Sequence, residues 1–379
     1  MFAYQKTRRF FAQVPGEMEP LAAEELTQLG AVEIRIEHRG ISFCADDPAL
    51  YRINYSSRVV TRVLAPLLSF PCRDTDQLYR AAKKMDWTQI LRTDQSFAVF
   101  SNVADSPIRH SHYAALRLKD AVVDHMREHV RSRPNVDRKE PDIWLALHVR
   151  KDQATVSLDT SGGSLHRRGY RKRTVEAPLQ ETLAAAIIRW SEWDGSRLLY
   201  DPMCGSGTLL CEALMAYCRI PAALLRESFG FQYLPDFQPE VWTFVKRDAL
   251  RPVRELPEGL VSGSDLNPDA VAVAKTNIHS FPQGAGVSLK AMDFRRIGEL
   301  RNRVILCNPP YGIRMGKRSS AAELYKELGD FLKRRCGGSR AYIYFGAPDL
   351  ISRVGLRPSW KRKLFNGGLE GRLALFEIY

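Results

Sequence analysis

What the chain lacks narrows its class first. No apolar run approaches the ~18–20 residues that a helix needs to cross a bilayer. Phe10-Phe11-Ala12 gives way at once to Gln13, Pro15 and Glu17, so the basic N-terminus carries no secretory h-region. The seven cysteines, Cys44, Cys72, Cys204, Cys211, Cys218, Cys307 and Cys336, are odd in number and contain no Cys-x-x-Cys pair. A zinc site and a secreted disulfide framework are therefore disfavoured, no metal is expected, and the cytoplasm is the expected location. No internal repeat or low-complexity tract is evident.

Positive charge is what the chain has in excess. Lysine and arginine total 56 against 43 acidic residues, a formal net charge of +13. From Arg131 to Arg173 the ratio is eleven to five. Such a balance favours a polyanionic partner, most simply nucleic acid. A length of 379 residues suffices for two or three domains with separate cores, and an apolar fraction of 45% is ordinary for a globular protein.

Residues 1–65 read as a small α+β segment. Phe10 to Val14 is strand-like, Glu17 to Leu29 helical, and Val32–Ile36 and Ile41–Cys44 alternate across His38-Arg39-Gly40 as a hairpin does. Residues 66–160 read as a second α+β module. Asp74 caps a helix running to Met85, Tyr113–Val130 is a long helix, and Ile143–Val149 pairs with Ala154–Leu158. Residues 161–177 form a basic linker containing His166, Arg167, Arg168, Gly169, Tyr170, Arg171, Lys172 and Arg173. Basic side chains around one tyrosine suit a loop that tracks phosphates and stacks a base, the plain alternative being a solvated linker. From 178 to 379, strands alternate with helices, which predicts a parallel, doubly wound α/β sheet. That pattern opens with Pro178 at a helix start and closes with a reversal at Asn366-Gly367-Gly368.

Four stretches of this last region carry candidate chemistry. Asp201-Pro202-Met203-Cys204-Gly205-Ser206-Gly207-Thr208 lies between a strand and a helix, where glycines let a ligand approach the backbone. No lysine follows the second glycine, so a Walker-type phosphate cradle is disfavoured, and the leading carboxylate suits a cationic amino-acid moiety. Asp265 ends the next strand and is placed to take both hydroxyls of a ribose; Asn267 and Asp269 are better situated to cap the following helix. Asp293 is placed to accept from an adenine amine, with Phe294 beside it to pack on the ring. Finally, the apolar run Val304–Cys307 ends in Asn308-Pro309-Pro310-Tyr311-Gly312. Two prolines make that loop rigid, and an Asn oxygen, a Pro carbonyl and an aromatic face suit a planar exocyclic amine. Cys204, Cys211 and Cys218 recur at seven-residue intervals and read as packing rather than ligation.

In this order and spacing, Asp201–Thr208, Gly263–Pro268 and Asn308–Gly312 resemble the motifs of the class I S-adenosylmethionine-dependent amino-methyltransferases. Leu158–Gly162 with Leu165–Arg171 is similar to the segment joining a THUMP RNA-binding domain to such a catalytic domain. Ala177–Leu183 and Asn366–Glu370 are also similar to that group. The family most resembled is the RlmL-like, THUMP-containing 23S rRNA guanine-N2 methyltransferases, and the resemblance covers essentially the whole chain. It implies a ferredoxin-like segment, a THUMP domain and a Rossmann-like methyltransferase domain. S-adenosylmethionine would be the methyl donor and RNA the partner. Asp201, Pro202, Cys204, Gly205, Gly207, Thr208, Asp265, Asp293, Phe294 and Asn308 would face the cofactor. Asn308, Pro309, Pro310 and Tyr311 would form the catalytic loop. His166, Arg167, Arg168, Tyr170, Arg171 and Lys172 would contact RNA.

The chain departs from the fused relatives in leaving no room for their second methyltransferase domain, and in carrying Ile313-Arg314-Met315 after the catalytic loop. Related loops also serve adenine-N6 and cytosine-N4 methylation and glutamine methylation in proteins, so the choice of guanine rests on the resemblance. A tRNA guanine methyltransferase, an adenine-N6 enzyme and a non-catalytic RNA-binding assembly factor are the alternatives. Oligomeric state is left open.

Overall fold

The computed structural model describes residues 1–173, 179–311 and 318–379. Gly312–Met315 and Ala177–Pro178, singled out above, lie outside them. The chain divides into two compact units. The first comprises Met1–Val14, Ala22–Leu165 and Arg226–Asp248; the second comprises Pro15–Leu21, His166–Leu225 and Ala249–Tyr379.

The strands of the first unit are β1 (Arg9–Gln13), β2 (Val32–Glu37), β3 (Gly40–Cys44), β4 (Arg62–Pro71), β5 (Ser96–Ala104), β6 (Asn135–Val136), β7 (Ile143–Arg150) and β8 (Gln153–Asp159). In this stretch of chain the helices are α1 (Ala3–Thr7), α2 (Glu19–Gln28), α3 (Asp47–Ser56), α4 (Thr75–Lys83) and α5 (Ser111–Val130). The strands form one sheet in the order β2-β3-β1-β4-β8-β7-β5-β6. Its pairs are antiparallel except β5 with β7 and with β6. The expected break between 65 and 66 falls inside β4, which pairs with β1 on one side and β8 on the other. Sharing a strand leaves neither small module with an open edge there, and backbone groups at an open edge would need other partners.

The corner after β8 is buried and fully polar-paired. Asn54 of α3 donates to Thr160 Oγ1 at 3.1 Å and accepts from Ser161 Oγ at 2.8 Å, while Ser161 Oγ accepts from Val63 N at 2.9 Å. Asp159 pairs with Arg62. Further along the chain, Arg226–Asp248 lays Phe231 on Tyr51 at 4.5 Å and Trp242 edge-on to Tyr55 at 5.2 Å. It includes most of a helix, Pro239–Leu250, that the sequence pattern did not reveal, because only Trp242 and Val245 of it are buried.

In the second unit the strands are β9 (Leu199–Asp201), β10 (Val261–Asp265), β11 (Ser288–Ala291), β12 (Val304–Cys307), β13 (Arg340–Phe345), β14 (Trp360–Asn366) and β15 (Leu369–Glu377). The remaining helices are α6 (Glu181–Trp190), α7 (Thr208–Cys218), α8 (Pro239–Leu250), α9 (Pro268–Ile278) and α10 (Arg318–Arg335). The sheet order is β11-β10-β9-β12-β13-β15-β14, with β9 to β13 parallel and β14–β15 an antiparallel hairpin. This is the doubly wound sheet that the alternation predicted. All four residues of β12 are buried, which is why the strand reads as a continuous apolar run. Cys307, Tyr325, Phe331, Phe345 and Phe376 share one apolar core beside it. Strand order reverses around β9, so the loops after β9, β10 and β12 emerge side by side at the carboxyl edge, where open α/β sheets bind ligands.

Candidate active site

The loop after β9 turns sharply because Gly205 (φ 52°) and Gly207 (φ 80°) adopt left-handed backbone, which side-chain-bearing residues resist. Gly207 N donates to Cys204 O at 2.8 Å, and Cys204 N donates to Ser264 O of β10 at 2.9 Å. A Cβ on Gly207 would stand 3.1 Å from Ala274 Cβ of α9, so the residue also lets α7 and α9 approach closely. Thr208 then begins α7.

Asp201, at the end of β9, is 1% exposed and accepts from Met203 N at 3.0 Å. Burial, and secondarily the charge of Asp265, push its carboxyl up to about 8, against the opposing bond from Met203. Asp265 is partly exposed. Its Oδ2 accepts from Gly205 N at 2.8 Å and its Oδ1 from Asn267 N at 2.9 Å. A carboxylate has about four acceptor positions, so two backbone donors fix its orientation and leave capacity for two hydroxyls. Asn267, not Asp265, caps α9 through Asp269 N at 2.9 Å. Cys204 and Cys307 are buried thiols whose ionisation burial suppresses.

Asp293 lies two residues beyond the end of β11. It accepts from Arg295 N at 2.9 Å and pairs with the Arg295 guanidinium at 2.8 Å. Partial burial opposes its charge, but these contacts hold the carboxyl below its usual range. Phe294 is 5% exposed and packs edge-on to Phe331 at 5.7 Å, in the core beside β12. The expected stacking of Phe294 on an adenine is thus set against a ring already committed to the core.

After β12, Asn308 is partly buried, Pro309 buried, Pro310 exposed and Tyr311 partly buried. Among the described residues, Asn308 Oδ1 is buried with no hydrogen-bond partner. Such an atom costs free energy until a donor arrives. The neighbouring Pro309 carbonyl accepts from Tyr325 Oη at 3.4 Å, and burial raises the Tyr325 pKa so that it stays a donor. Gly346, just after β13, makes room for Tyr311: a Cβ there would lie 2.6 Å from its ring. Tyr325 and Gly346 gave no local signal, because their roles come from α10 and β13 packing on a distant loop.

The basic segment departs most from expectation. Arg168 and Tyr170 are 1% and 0% exposed and both bond Glu212 of α7, at 3.3 and 3.2 Å. Burial pushes the Tyr170 phenol up and Glu212 reinforces the shift. Neither side chain is available for stacking or phosphate contact. Arg171 turns inward as well, donating to Glu181 Oε1 at 2.7 Å. His166 is partly buried, while Arg167 and Lys172 face outward. The segment alternates because a short, dense run of charge that packs on a domain has to neutralise its inward members.

These loops and this sheet define a class I methyltransferase fold. The chain matches the model of the RMKL-like methyltransferase domain over residues 168–374, the THUMP domain over 72–159 and the RlmL ferredoxin-like domain over 9–64. It belongs to the RMKL-like, THUMP-containing family of S-adenosylmethionine-dependent methyltransferases.

Among its relatives is a protein of Synechocystis sp. provisionally named an RNA methyltransferase, 37% identical over 98% of this chain and 97% of the relative. The ribosomal RNA large subunit methyltransferase K/L of Syntrophotalea carbinolica is 39% identical over 98% of this chain but 53% of its own length. This chain spans about half the length of the K/L proteins it matches. Among solved structures, SMU.472, provisionally described as a methyltransferase and complexed with SAH, is 27% identical with a TM-score of 0.84, covering 98% of each chain. A provisionally described N6-adenine-specific DNA methylase of Listeria monocytogenes is 25% identical with a TM-score of 0.84, covering 99% of this chain and 98% of that one.

Proposed function

We propose that this protein transfers a methyl group from S-adenosylmethionine to the exocyclic N2 amine of a guanine in large-subunit ribosomal RNA, in the cytoplasm. The observation that carries the reading is the buried Oδ1 of Asn308, without a hydrogen-bond partner among the described residues, beside the Pro309 carbonyl. The residues present fit the cofactor. The Gly205–Gly207 turn admits close approach, oriented Asp265 suits the ribose hydroxyls, and buried Asp201 suits the cationic end of the amino-acid moiety. Pro202, Cys204 and Thr208 shape the same turn.

When bound, S-adenosylmethionine supplies an electrophilic methyl carbon whose bond to sulfur breaks, electron pair to sulfur, as the amine nitrogen bonds to it. Asn308 Oδ1 and the Pro309 carbonyl accept the two amine hydrogens, drawing the nitrogen out of the base plane and freeing its lone pair. They also stabilise the positive charge that develops there until one proton is lost to water. Tyr311 offers a ring face to the flipped base, and the Pro309-Pro310 pair holds the carbonyl in place. Arg167 and Lys172 supply outward charge for RNA phosphates.

The test is to incubate the protein with methyl-labelled S-adenosylmethionine and either rRNA or tRNA from cells lacking the gene, then separate the labelled nucleosides. N2-methylguanosine in large-subunit rRNA is the expected product. The same nucleoside in tRNA would move the substrate, N6-methyladenosine would overturn the base, and no transfer to RNA or ribosomal particles would favour a non-catalytic role.

A further inference from the structure

We propose that Arg171 is a positioning residue for the glycine loop, acting with Asn277, and not an RNA contact. The inference rests on reading Asp201–Thr208 as the cofactor loop. Ser206 sits between two left-handed glycines, in a turn whose own backbone provides little stiffness. Arg171 supplies it from outside. Its Nε donates to Glu181 Oε1 at 2.7 Å, and its Nη2 to the Leu179 carbonyl at 2.9 Å and Thr208 Oγ1 at 3.0 Å. Its Nη1 reaches Ser206 Oγ at 3.4 Å. A guanidinium has five N–H donors, so this fork is nearly consumed inside the protein.

Asn277 of α9 closes the arrangement from the other side. It is 1% exposed. Its Nδ2 donates to the Ser206 carbonyl at 3.0 Å and the Arg173 carbonyl at 3.2 Å, and its Oδ1 accepts from Lys172 N at 3.2 Å. The strand of chain that carries Arg171 is therefore stitched to α9 by the same amide that holds the loop. Residue 206 is gripped by its hydroxyl and its carbonyl at once. Ordering the loop before the ligand arrives removes that entropy loss from the binding step. Lysine carries one nitrogen in place of the planar fork and cannot span the four acceptors.

The experiment compares full-length wild type, Arg171→Ala, Arg171→Lys and Asn277→Ala. Calorimetry measures binding of S-adenosylhomocysteine, anisotropy measures binding of a labelled large-subunit rRNA transcript, and thermal unfolding checks the fold. Arg171→Ala is expected to weaken S-adenosylhomocysteine about 10–100-fold, the range for losing charged hydrogen bonds, with RNA affinity unchanged. KM for S-adenosylmethionine should rise while kcat at saturation stays near wild type. Low-millimolar guanidinium, but not ammonium, should restore binding to Arg171→Ala. Should that variant fail to fold, Arg171→Lys, which keeps the charge beside Glu181, and Asn277→Ala carry the same comparison. Unaltered S-adenosylhomocysteine affinity in folded variants, or a loss confined to RNA binding, overturns the proposal. Failure of the wild-type protein to bind S-adenosylhomocysteine overturns the reading of the loop, and this inference with it.

Discussion

The loops after β9 and β10 and the loop after β12 leave the same edge of one sheet, yet they are finished to different degrees. Around Gly205 the ligand-edge groups Asp265 and Ser206 are held within the protein: both Asp265 oxygens take backbone donors, and Ser206 is bonded by Arg171 and Asn277. After β12, among the described residues, Asn308 Oδ1 has none. A self-satisfied loop is a binding surface formed in advance. On the proposed function, the loop with the buried unsatisfied acceptor is completed by its substrate, and its hydrogen bonds are best made where charge develops.

Substitutions on the two sides should therefore separate rate from affinity. The largest effect is expected from Asn308→Ala, a loss of about 10²–10³-fold in kcat, the scale of deleting one oriented electrostatic partner, with S-adenosylhomocysteine affinity little changed. Single-turnover methylation beside calorimetry measures both, and equal losses in each would erase the distinction between the loops. Asp265→Asn should act the other way. KM for S-adenosylmethionine is expected to rise about 10–100-fold, with kcat at saturation changing far less.

A third, smaller effect concerns Asp201. Its folded pKa of about 8 lies above the ordinary carboxyl value, so its contribution to stability is complete below about pH 4 and is lost as pH rises towards 8. From pH 5 to 8 the melting temperature of Asp201→Asn should thus gain on that of wild type. A cationic ligand end favours the ionised form, so binding near pH 7 should release a fraction of a proton. Calorimetry in buffers of different ionisation enthalpy reads that release, and a buffer-independent heat would place the cation elsewhere. The smallest change is Tyr170→Phe, expected to cost about 1 kcal/mol of stability and no RNA affinity. Lys172→Glu, by contrast, should weaken RNA binding and flatten its salt dependence.

Most of the candidate site was legible before the fold, for a local reason. The turn around Gly205, the strand-ending Asp265 and the rigid Asn308-Pro309 loop each join a strand end to its candidate ligand-binding atoms within a few residues. The basic segment misled because charge density says nothing about which side chains turn inward. Arg168 and Tyr170 found Glu212, which lies forty-odd residues away on α7. A signal did exist at Asn277, an amide on the apolar stripe of α9 with Ala270, Val271, Ala274 and Ile278. A polar residue at such a position needs a buried partner.

By itself the sequence determined the two kinds of architecture, the alternation that makes β9 to β13 parallel, and the chemistry offered at the strand ends. Those properties follow from periodicity and local backbone preference, which act over a few residues. Only the tertiary structure decided that β4 joins the two N-terminal modules into one sheet, that Arg171 bonds to the glycine loop, and that Tyr325 and Gly346 pack against the loop after β12. Each of these is a contact between residues far apart in the chain, selected by which buried donor meets which buried acceptor and by where a missing Cβ leaves room.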